Sequence, residues 1–327
     1  MCRGLATEAG APKPAASSNT PLLAAAVGVA FAGAGYLYLT KDGATLAQEA
    51  KELKGKVVPE IRRALGEGDK FHSFKLREVH PISHNTSLYR FELPEPDMVL
   101  GMDVASCILT KFVEPAATPE GKRKVVIRPY TPTSLEETPG HFDLIVKEYP
   151  EGIMSKHIAS LKPGDTLDIK GPITKFKYVP NMHKELGMVA GGTGIAPMLQ
   201  IIRKIFHNPE DQTKVKLIFA NVTEDDILLR KELDELAQLN PGRFHVYYTL
   251  DKPSTGWTQG TGFVSKEMAQ ANLPRPSGEA KDTMVYVCGP PPMMKAISGP
   301  KASITDQGTV SGILKELGYT ESDVFKF

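Results

Sequence analysis

The sequence predicts two folded domains in series: an antiparallel β barrel, then an α/β domain with a doubly wound parallel sheet. A membrane-spanning helix is predicted to precede them. Three observations lead to this fold class: an uncharged apolar run near the N-terminus, a series of short β-type segments in the middle, and strands that alternate with helices towards the C-terminus. Without the unusual N-terminus, roughly 280 residues remain, which suits two domains of about 100–200 residues each.

The composition is that of an ordinary globular protein. Hydrophobic residues make up 41% of the chain and charged residues 24%, which is enough for a packed core. A net charge of +1 argues against nucleic-acid binding through bulk electrostatics, although a local basic patch stays possible. Cys2, Cys107 and Cys288 lie far apart without a CxxC pair, which excludes a disulfide framework or zinc site and fits a reducing compartment. We predict no metal site.

The N-terminal apolar run, residues 22–39, predicts a membrane anchor. Its 18 uncharged residues would span about 27 Å as a helix. A buried core helix would show a polar face, and a cleaved signal peptide would begin with more positive charge than Arg3 and Lys13 provide. More lysines follow the run than precede it, so we expect the body of the protein on the cytosolic side. Residues 1–21 are predicted to be disordered, and residues 40–70 to form a tether.

Residues 71–180 contain the predicted barrel. Six short β-type runs are separated by Pro, Gly and Asn, and several alternate between apolar and polar side chains. They are residues 71–82, 86–94, 105–113, 124–131, 142–149 and 165–172. One helix, residues 154–161, interrupts them before Pro163 and Gly164.

Residues 181–327 contain the predicted α/β domain. Buried-type strands are expected at residues 186–190, 214–222, 244–250 and 284–289, with helices at residues 195–206 and 226–239. Alternating strands and helices predict a parallel, doubly wound sheet, in which ligands bind beyond the carboxyl ends of the strands.

Two motifs in the barrel region carry possible phosphate ligands. Arg128-Pro129-Tyr130-Thr131 follows a strand directly, and an arginine there can bind a pyrophosphate with two hydrogen bonds. A loop with a surface arginine is the alternative. Gly152 opens the predicted helix, where free amide groups can bind a phosphate. An ordinary helix start capped by Ser155 is the alternative.

Two further motifs end strands of the α/β domain. Gly191-Gly192-Thr193-Gly194 turns from strand to helix and would let a dinucleotide approach the backbone, although it is not the GxGxxG fingerprint. Cys288 ends another strand, where ligands bind in such sheets, but a lone cysteine also suits core packing. Asp251 follows a third strand and would favour NADH by repelling a 2′-phosphate; capping a turn is its alternative role.

The order of these motifs resembles that of the ferredoxin-reductase-like flavoenzymes. RxYTxxS and GxxS are followed by GGTGxxP and CGPPPM, and within that class the chain is similar to the NADH–cytochrome b5 reductase family from about Phe71 to Phe327. SHNTSLYRFELP and DQGTVSGILKELGY resemble the fungal mitochondrial branch, which carries an N-terminal anchor. The resemblance implies that NADH reduces bound FAD, and that electrons then pass singly to cytochrome b5, a small haem protein.

The resemblance also implies roles for particular residues. Thr131, Thr193 and Cys288 would act next to the reacting rings. The implied cofactor-binding residues are Arg128, Pro129, Tyr130, Thr131, Ser134, Lys147, Tyr149, Gly152, Met154, Ser155, Gly191, Gly192, Thr193, Gly194, Asp251, Cys288, Gly289, Pro290 and Met293. Three departures from the family pattern leave the implied site in place. Ile153 would weaken one phosphate contact, Ala196 removes a hydroxyl close to the cofactor, and Pro292 stands where mitochondrial-type relatives often have glycine, although other members share it.

The resemblance further implies an acidic cytochrome that docks on a basic rim, for which Lys170, Lys175, Lys177 and Lys184 are candidates. A solvated lysine surface is the alternative. A monomer in the mitochondrial outer membrane is expected, with the endoplasmic reticulum or a cleaved intermembrane-space form as alternatives. Two other functions remain: a related flavin reductase with a quinone or another small redox protein as acceptor, and an inert membrane-tethered scaffold.

Overall fold

The computed structural model describes residues 61–66, 70–115, 123–303 and 305–327. The predicted disordered N-terminus, the membrane anchor at residues 22–39 and most of the tether lie outside these ranges. Among the residues described, no helix combines the length and the apolar character needed to cross a bilayer.

Six antiparallel strands form the barrel, as predicted. They are β1 (His72–Ser83), β2 (Thr86–Glu92), β3 (Ser106–Val113), β4 (Val125–Tyr130), β5 (His141–Lys147) and β6 (Thr166–Thr174). Their order is β4-β3-β6-β1-β2-β5. The two outer strands are linked where the amide of Thr133, just after β4, donates to the carbonyl of Asp143 on β5 at 2.9 Å. Alternating side chains fill the interior, where the ring of Phe142 lies 5.4 Å from Phe74 and 5.3 Å from Phe91.

Residues 61–66, predicted to be part of the tether, pack on the barrel. The amides of Ala64 and Leu65 each donate at 2.9 Å, to the carbonyls of Val99 and Leu100. The side chain of Leu65 is 1% exposed and belongs to the barrel core. Burial of this one apolar side chain explains why the segment follows the barrel surface.

A single helix, α1 (Ile153–Ser160), stands between β5 and β6 and begins one residue before the predicted start. Met154 and Ile158 lie four residues apart on one face of α1, and both are buried in the barrel core. This packing fixes the start of α1 against the ends of the barrel strands.

The second sheet is parallel throughout, which confirms the predicted doubly wound sheet. Its strands are β7 (Glu185–Gly191), β8 (Lys214–Asn221), β9 (Phe244–Leu250), β10 (Gly260–Thr261), β11 (Thr283–Cys288) and β12 (Val324–Lys326). They are ordered β10-β9-β8-β7-β11-β12. The order in which the chain adds strands to the sheet reverses between β7 and β11. The carboxyl ends of these two strands therefore flank the topological switch point.

Helices cover both faces of this sheet. In the described part of the chain they are α2 (Ile195–His207), α3 (Arg230–Leu239), α4 (Lys266–Asn272), α5 (Pro291–Ile297) and α6 (Gly312–Glu316). Along β7, Met188 and Ala190 pack on the α2 and α3 side, whereas Val189 packs on the α4, α5 and α6 side. The two-residue period of the strand therefore buries β7 on both faces.

One predicted helix is shorter than expected. Residues 226–239 were predicted to be helical, but α3 begins only at Arg230. Thr223 and Asp226 form a capping box around a short 3-10 turn, with the Thr223 hydroxyl 2.7 Å from the Asp226 carboxylate. Leu229 then adopts the left-handed region with φ of 58°, which interrupts the helical path.

Candidate functional site

The two glycine-containing motifs of the parallel sheet meet at the switch point. Cys288 pairs with Ala190 in the register of β11 and β7, so the turns that follow both strands are neighbours. A Cβ added to Gly194 would lie only 2.2 Å from the carbonyl oxygen of Cys288. The turns therefore approach each other more closely than a side chain at position 194 would allow.

The barrel motifs face this switch point across one cleft of about 570 Å³. Most predicted site residues line it: Arg128, Pro129, Tyr130, Thr131, Lys147, Tyr149, Gly152, Met154, Ser155, Gly191, Thr193, Gly194, Cys288, Gly289 and Pro290. Arg128–Thr131 comes from the end of β4, Lys147 and Tyr149 from the end of β5, and the others from α1, β7 and β11. The fold thus gathers four separate stretches of the chain, residues 128–131, 147–155, 191–194 and 288–290, around one space.

Four predicted site residues do not line the cleft. The hydroxyl of Ser134 accepts from the amide of Asp143 at 3.3 Å, so this side chain helps to close the barrel. Gly192 lies in the turn after β7. Met293 packs against the end of the same strand, since its sulfur lies 2.6 Å from the point where a Cβ on Gly191 would be. Asp251 follows β9 at the carboxyl edge of the sheet, where its amide donates to the carbonyl of Asn221 at 3.1 Å.

The start of α1 depends on Gly152. The Ser155 hydroxyl donates to the Gly152 carbonyl at 3.1 Å and accepts from the Tyr149 amide at 3.2 Å. A Cβ on Gly152 would lie 2.2 Å from this hydroxyl, so a larger residue here would displace the Ser155 side chain from both hydrogen bonds. The first amides of a helix have no partner within the helix, and here they stand at the wall of the cleft, where they can bind phosphate.

Lys147 has a partner that the sequence analysis does not predict. Its Nζ lies 2.9 Å from the carboxylate of Asp226, and the two side chains are 17% and 5% exposed. Burial alone would raise the pKa of Asp226, but hydrogen bonds from Lys147 and Thr223 outweigh burial and hold that pKa below its ordinary value. The ion pair ties the end of β5 in the barrel to the turn after β8 in the parallel sheet.

The phenol of Tyr130 and the thiol of Cys288, both in the cleft, are uncharged near neutral pH. Burial raises the pKa of the Tyr130 phenol to about 12, and burial also raises the pKa of the Cys288 thiol to about 12. A phenol in this state can donate a hydrogen bond, and the thiol is not a nucleophilic thiolate. The site is therefore suited to positioning flat rings rather than to nucleophilic catalysis.

Several further residues line the cleft. Ile153, Ala196, Pro197 and Pro291 lie within the sequence motifs, and Lys175 is a candidate for the basic rim, whereas the sequence did not indicate Ser106, Cys107, Ile145, Glu151 and Phe327. Ile145 lies two residues before Lys147 on β5, so the strand period could have revealed it. Phe327 carries no local motif, and only the pairing of β12 with β11 brings the end of the chain to the cleft.

Comparisons with known proteins agree with this architecture. Residues 73–178 match the oxidoreductase FAD-binding domain family, and residues 188–299 match the oxidoreductase NAD-binding domain family. An NADH-cytochrome b5 reductase-like protein from Arabidopsis thaliana is 51% identical over 296 residues, covering 90% of this chain and 87% of the relative. NADH-cytochrome b5 reductase 2 from Coccidioides immitis is 47% identical over 325 residues, covering 99% and 95%.

The chain belongs to the NADH–cytochrome b5 reductase family. A solved structure agrees: the cytochrome b5 reductase domain of Ulva prolifera nitrate reductase has a TM-score of 0.69 and 35% identity, covering 81% of this chain and 99% of that one. Members of this family are FAD-dependent oxidoreductases, and the matched domains give the chain FAD and NADH as cofactors.

The cleft of this reductase suits FAD and NADH. The support comes from its lining rather than from its volume of about 570 Å³. Arg128 and the start of α1 offer donors for a pyrophosphate, while Tyr130 and Tyr149 offer aromatic faces. The glycines of the switch point leave the backbone open to a second dinucleotide.

Proposed function

We propose that this chain is an NADH–cytochrome b5 reductase that takes hydride from NADH and delivers single electrons to cytochrome b5. The observation that carries the proposal is the single cleft in which the barrel motif Arg128–Thr131 faces both turns of the switch point. The bound flavin supplies the conversion between two-electron and one-electron transfer. The protein supplies position, because the two turns and the barrel hold both ring systems in one space.

Each part of the cleft has its own task in this proposal. Arg128 and the first amides of α1 bind the FAD pyrophosphate, and Tyr130 and Thr131 fix the ring edge. Thr193 and Cys288 hold the nicotinamide against the flavin, and a neutral thiol suits this role because it adds no charge beside the hydride path. Asp251, at the carboxyl edge of the sheet, would repel the 2′-phosphate of NADPH.

An anaerobic titration of the full-length chain tests the proposal, with flavin absorbance as the readout. Stoichiometric bleaching by NADH, with little bleaching by NADPH, is the expected result. An Asp251→Ser variant should bleach more readily with NADPH than the wild type does. A colourless protein, or bound flavin that NADH cannot bleach, would contradict the proposal and favour the scaffold alternative.

The acceptor is tested by adding cytochrome b5 to the reduced enzyme. We propose that a basic rim beside the cleft steers this acidic partner, and the positions of the candidate lysines differ. Lys175 lines the cleft and Lys177 is exposed nearby in sequence, whereas the ammonium of Lys184 lies 2.6 Å from Asp282. Lys175 and Lys177 are therefore the stronger candidates, since the charge of Lys184 is already compensated.

The rate of cytochrome b5 reduction should fall as ionic strength rises, because salt screens the attraction between the two proteins. Lys177→Gln should reduce the slope of this salt dependence, while Lys184→Gln should change it less. A rate that hardly changes between low and high salt would remove the steering argument. Flavin bleaching by NADH without cytochrome b5 reduction would instead indicate a quinone or another small redox protein as acceptor.

We further propose a monomer anchored in the mitochondrial outer membrane through residues 22–39, with the catalytic domains facing the cytosol. The uncharged run and the lysines that follow it support this orientation. Carbonate extraction and protease treatment of intact mitochondria test the location. A protein released by carbonate, or protected from protease, would contradict it and favour a cleaved intermembrane-space form.

A further inference from the structure

The penultimate residue of the chain is a lysine that is completely buried. Lys326 is 0% exposed, and its Nζ donates to three main-chain carbonyls, those of Pro300 at 3.2 Å, Gln307 at 2.7 Å and Thr309 at 2.9 Å. Among the described residues, no carboxylate forms an ion pair with it. A buried lysine normally requires strong compensation, so three convergent carbonyls indicate a built arrangement rather than a surface accident.

The main-chain amide and carbonyl of Lys326 also bind this part of the chain. Its amide donates to the side-chain oxygen of Gln307 at 2.6 Å, and its carbonyl accepts from the ammonium of Lys301 at 3.1 Å. The amide and the carbonyl of Lys326 point away from β11. Strand β11 instead pairs with β12 through the amide of Phe327, which donates to the carbonyl of Val287 at 3.0 Å. The side chains of Lys301 and Gln307 therefore satisfy the outer edge of β12, where a neighbouring strand would otherwise pair.

The two faces of β12 have different partners. The ammonium of Lys326 binds the carbonyls of Pro300, Gln307 and Thr309 on one face. Phe325 and Phe327, on the other face, belong to an aromatic cluster. The ring of Phe327 lies 5.2 Å from Phe325 and 5.7 Å from Tyr286, measured between centroids. Phe327 also lines the cleft, as does Cys288. A change in how Lys326 is held would thus move a wall of the cleft.

We propose that Lys326 is a positioning residue for the reductase reaction. By joining Pro300, Gln307 and Thr309 to β12, it fixes the ring of Phe327 as a wall of the cleft and so sets the space in which the nicotinamide of NADH binds. This inference rests on the proposed function. An ammonium suits the position because its three N–H donors match the three main-chain carbonyls, whereas methionine would leave all three without this donor.

Stopped-flow reduction of the flavin by NADH tests the role of Lys326. Lys326→Met keeps the aliphatic stem and removes the donors, and Lys315→Met makes the same exchange at an exposed site on α6. We expect the dissociation constant for NADH to rise about tenfold in Lys326→Met, as a loss of about 1.4 kcal/mol of binding would produce. FAD content should stay unchanged, and Lys315→Met should match the wild type.

A double-mutant cycle with Phe327→Ala separates positioning from general stability. If Lys326 acts through Phe327, Lys326→Met should have no further effect on NADH binding once the ring is absent. Equal effects of Lys326→Met in both backgrounds, or wild-type NADH binding in Lys326→Met, would overturn the inference.

A milder variant serves if Lys326→Met does not fold. Gln307→Ala removes one acceptor from the Lys326 amide and should weaken NADH binding in the same direction, again only when Phe327 is present. The same NADH binding in Gln307→Ala as in the wild type would then overturn the inference. Failure of NADH to reduce the wild-type flavin is a separate result, which contradicts the proposed function itself.

Discussion

Cys288 lines the cleft at the end of β11, a position that is compatible with the ligand-side role predicted for it from sequence. Its neighbour Gly289 lies so close to Met293 that a Cβ there would be 2.7 Å from the methionine methyl group. Burial keeps the thiol protonated, with its pKa raised to about 12. Its position at the cleft wall is compatible with a role in holding a ring, and its protonation argues against a role as a thiolate.

Cys288→Ser should slow the reduction of flavin by NADH while FAD stays bound. The smaller, more polar hydroxyl would fill the cleft wall less well beside the nicotinamide. Because the thiol is neutral well below pH 12, the wild-type rate should show no titration of this group between pH 6 and pH 9. Stopped-flow absorbance at several pH values measures both effects. Unchanged kinetics in Cys288→Ser would return the residue to a packing role.

Ser134 shows the limit of motif reading at this scale. It belongs to the RxYTxxS motif, yet its hydroxyl accepts from the amide of Asp143 and does not line the cleft. A sequence motif can contain both residues that shape a turn and residues that contact a ligand. The spacing alone does not separate them, because both depend on the same local backbone.

At the scale of elements, the turn from β7 into α2 is the most constrained part of the site. Gly194 has an ordinary helical φ of −62°, so its requirement for glycine is steric rather than conformational. A Cβ at this position would meet the carbonyl of Cys288 at 2.2 Å, and backbone atoms there cannot move aside cheaply.

Gly194→Ala should therefore separate the two turns of the switch point. We expect a loss of about 1–3 kcal/mol in the free energy of unfolding, the usual size for overpacking, together with weaker NADH binding. Gly66→Ala is the matched control, since a Cβ at Gly66 would have nothing within 4 Å. Chemical denaturation and NADH titration measure the two effects. Equal behaviour of both variants would show that the turns can separate without cost.

The start of α3 illustrates why element boundaries are harder to predict than elements. The amphipathic pattern of residues 226–239 indicated a helix, and a helix is present from Arg230. Its first turn is replaced by the capping box of Thr223 and Asp226, and Leu229 in the left-handed region separates that turn from α3. Asp226 also binds Lys147 of the barrel, a contact that the helical pattern does not indicate.

At the scale of the whole molecule, barrel and parallel sheet share one interface. Ala105 and Ile145 of the barrel belong to the same buried cluster as the side chains of β7, β8 and α2. On α2, the amide group of Gln200 donates to the carbonyl of Pro132 at 3.1 Å, and Arg203 donates to the carbonyl of Thr133. These contacts hold the two halves of the cleft at a fixed separation.

The Lys147–Asp226 ion pair is predicted to stabilise this interface. Asp226→Asn should lower the free energy of unfolding by about 2–4 kcal/mol at pH 7, because it leaves the Lys147 ammonium uncompensated in a largely buried site. Asp225→Asn, at the exposed neighbouring position, is the matched control and should have little effect. Denaturant unfolding followed by flavin fluorescence gives both values.

This contribution should depend on pH in a defined direction. The pKa of Asp226 is lower in the folded protein than in the unfolded chain, so the ion pair stabilises the fold above the unfolded value of about 3.9. The stabilisation is lost as pH falls below about 4 and through the folded pKa. The gap between wild type and Asp226→Asn should therefore shrink at acidic pH, and a constant gap would assign the effect to something other than the charge.

The sequence by itself determined the order and type of the elements and the identity of the motifs. Strand period, helix period and turn residues act over a few positions, so the six barrel strands, β7, β8, β9 and β11 could be predicted from local patterns. The four motifs also marked the ends of the strands that border the cleft. Their order along the chain was enough to indicate the family.

Only the tertiary structure decided which side chains meet. The ion pair of Lys147 with Asp226 joins residues that are distant in sequence. The position of Phe327 at the cleft and the burial of Lys326 depend on an edge strand of three residues. Such contacts arise from the close packing of whole elements, and no local periodicity encodes them. The sequence therefore identified the side chains of the site, while packing determined which of them are in contact and the distances between them.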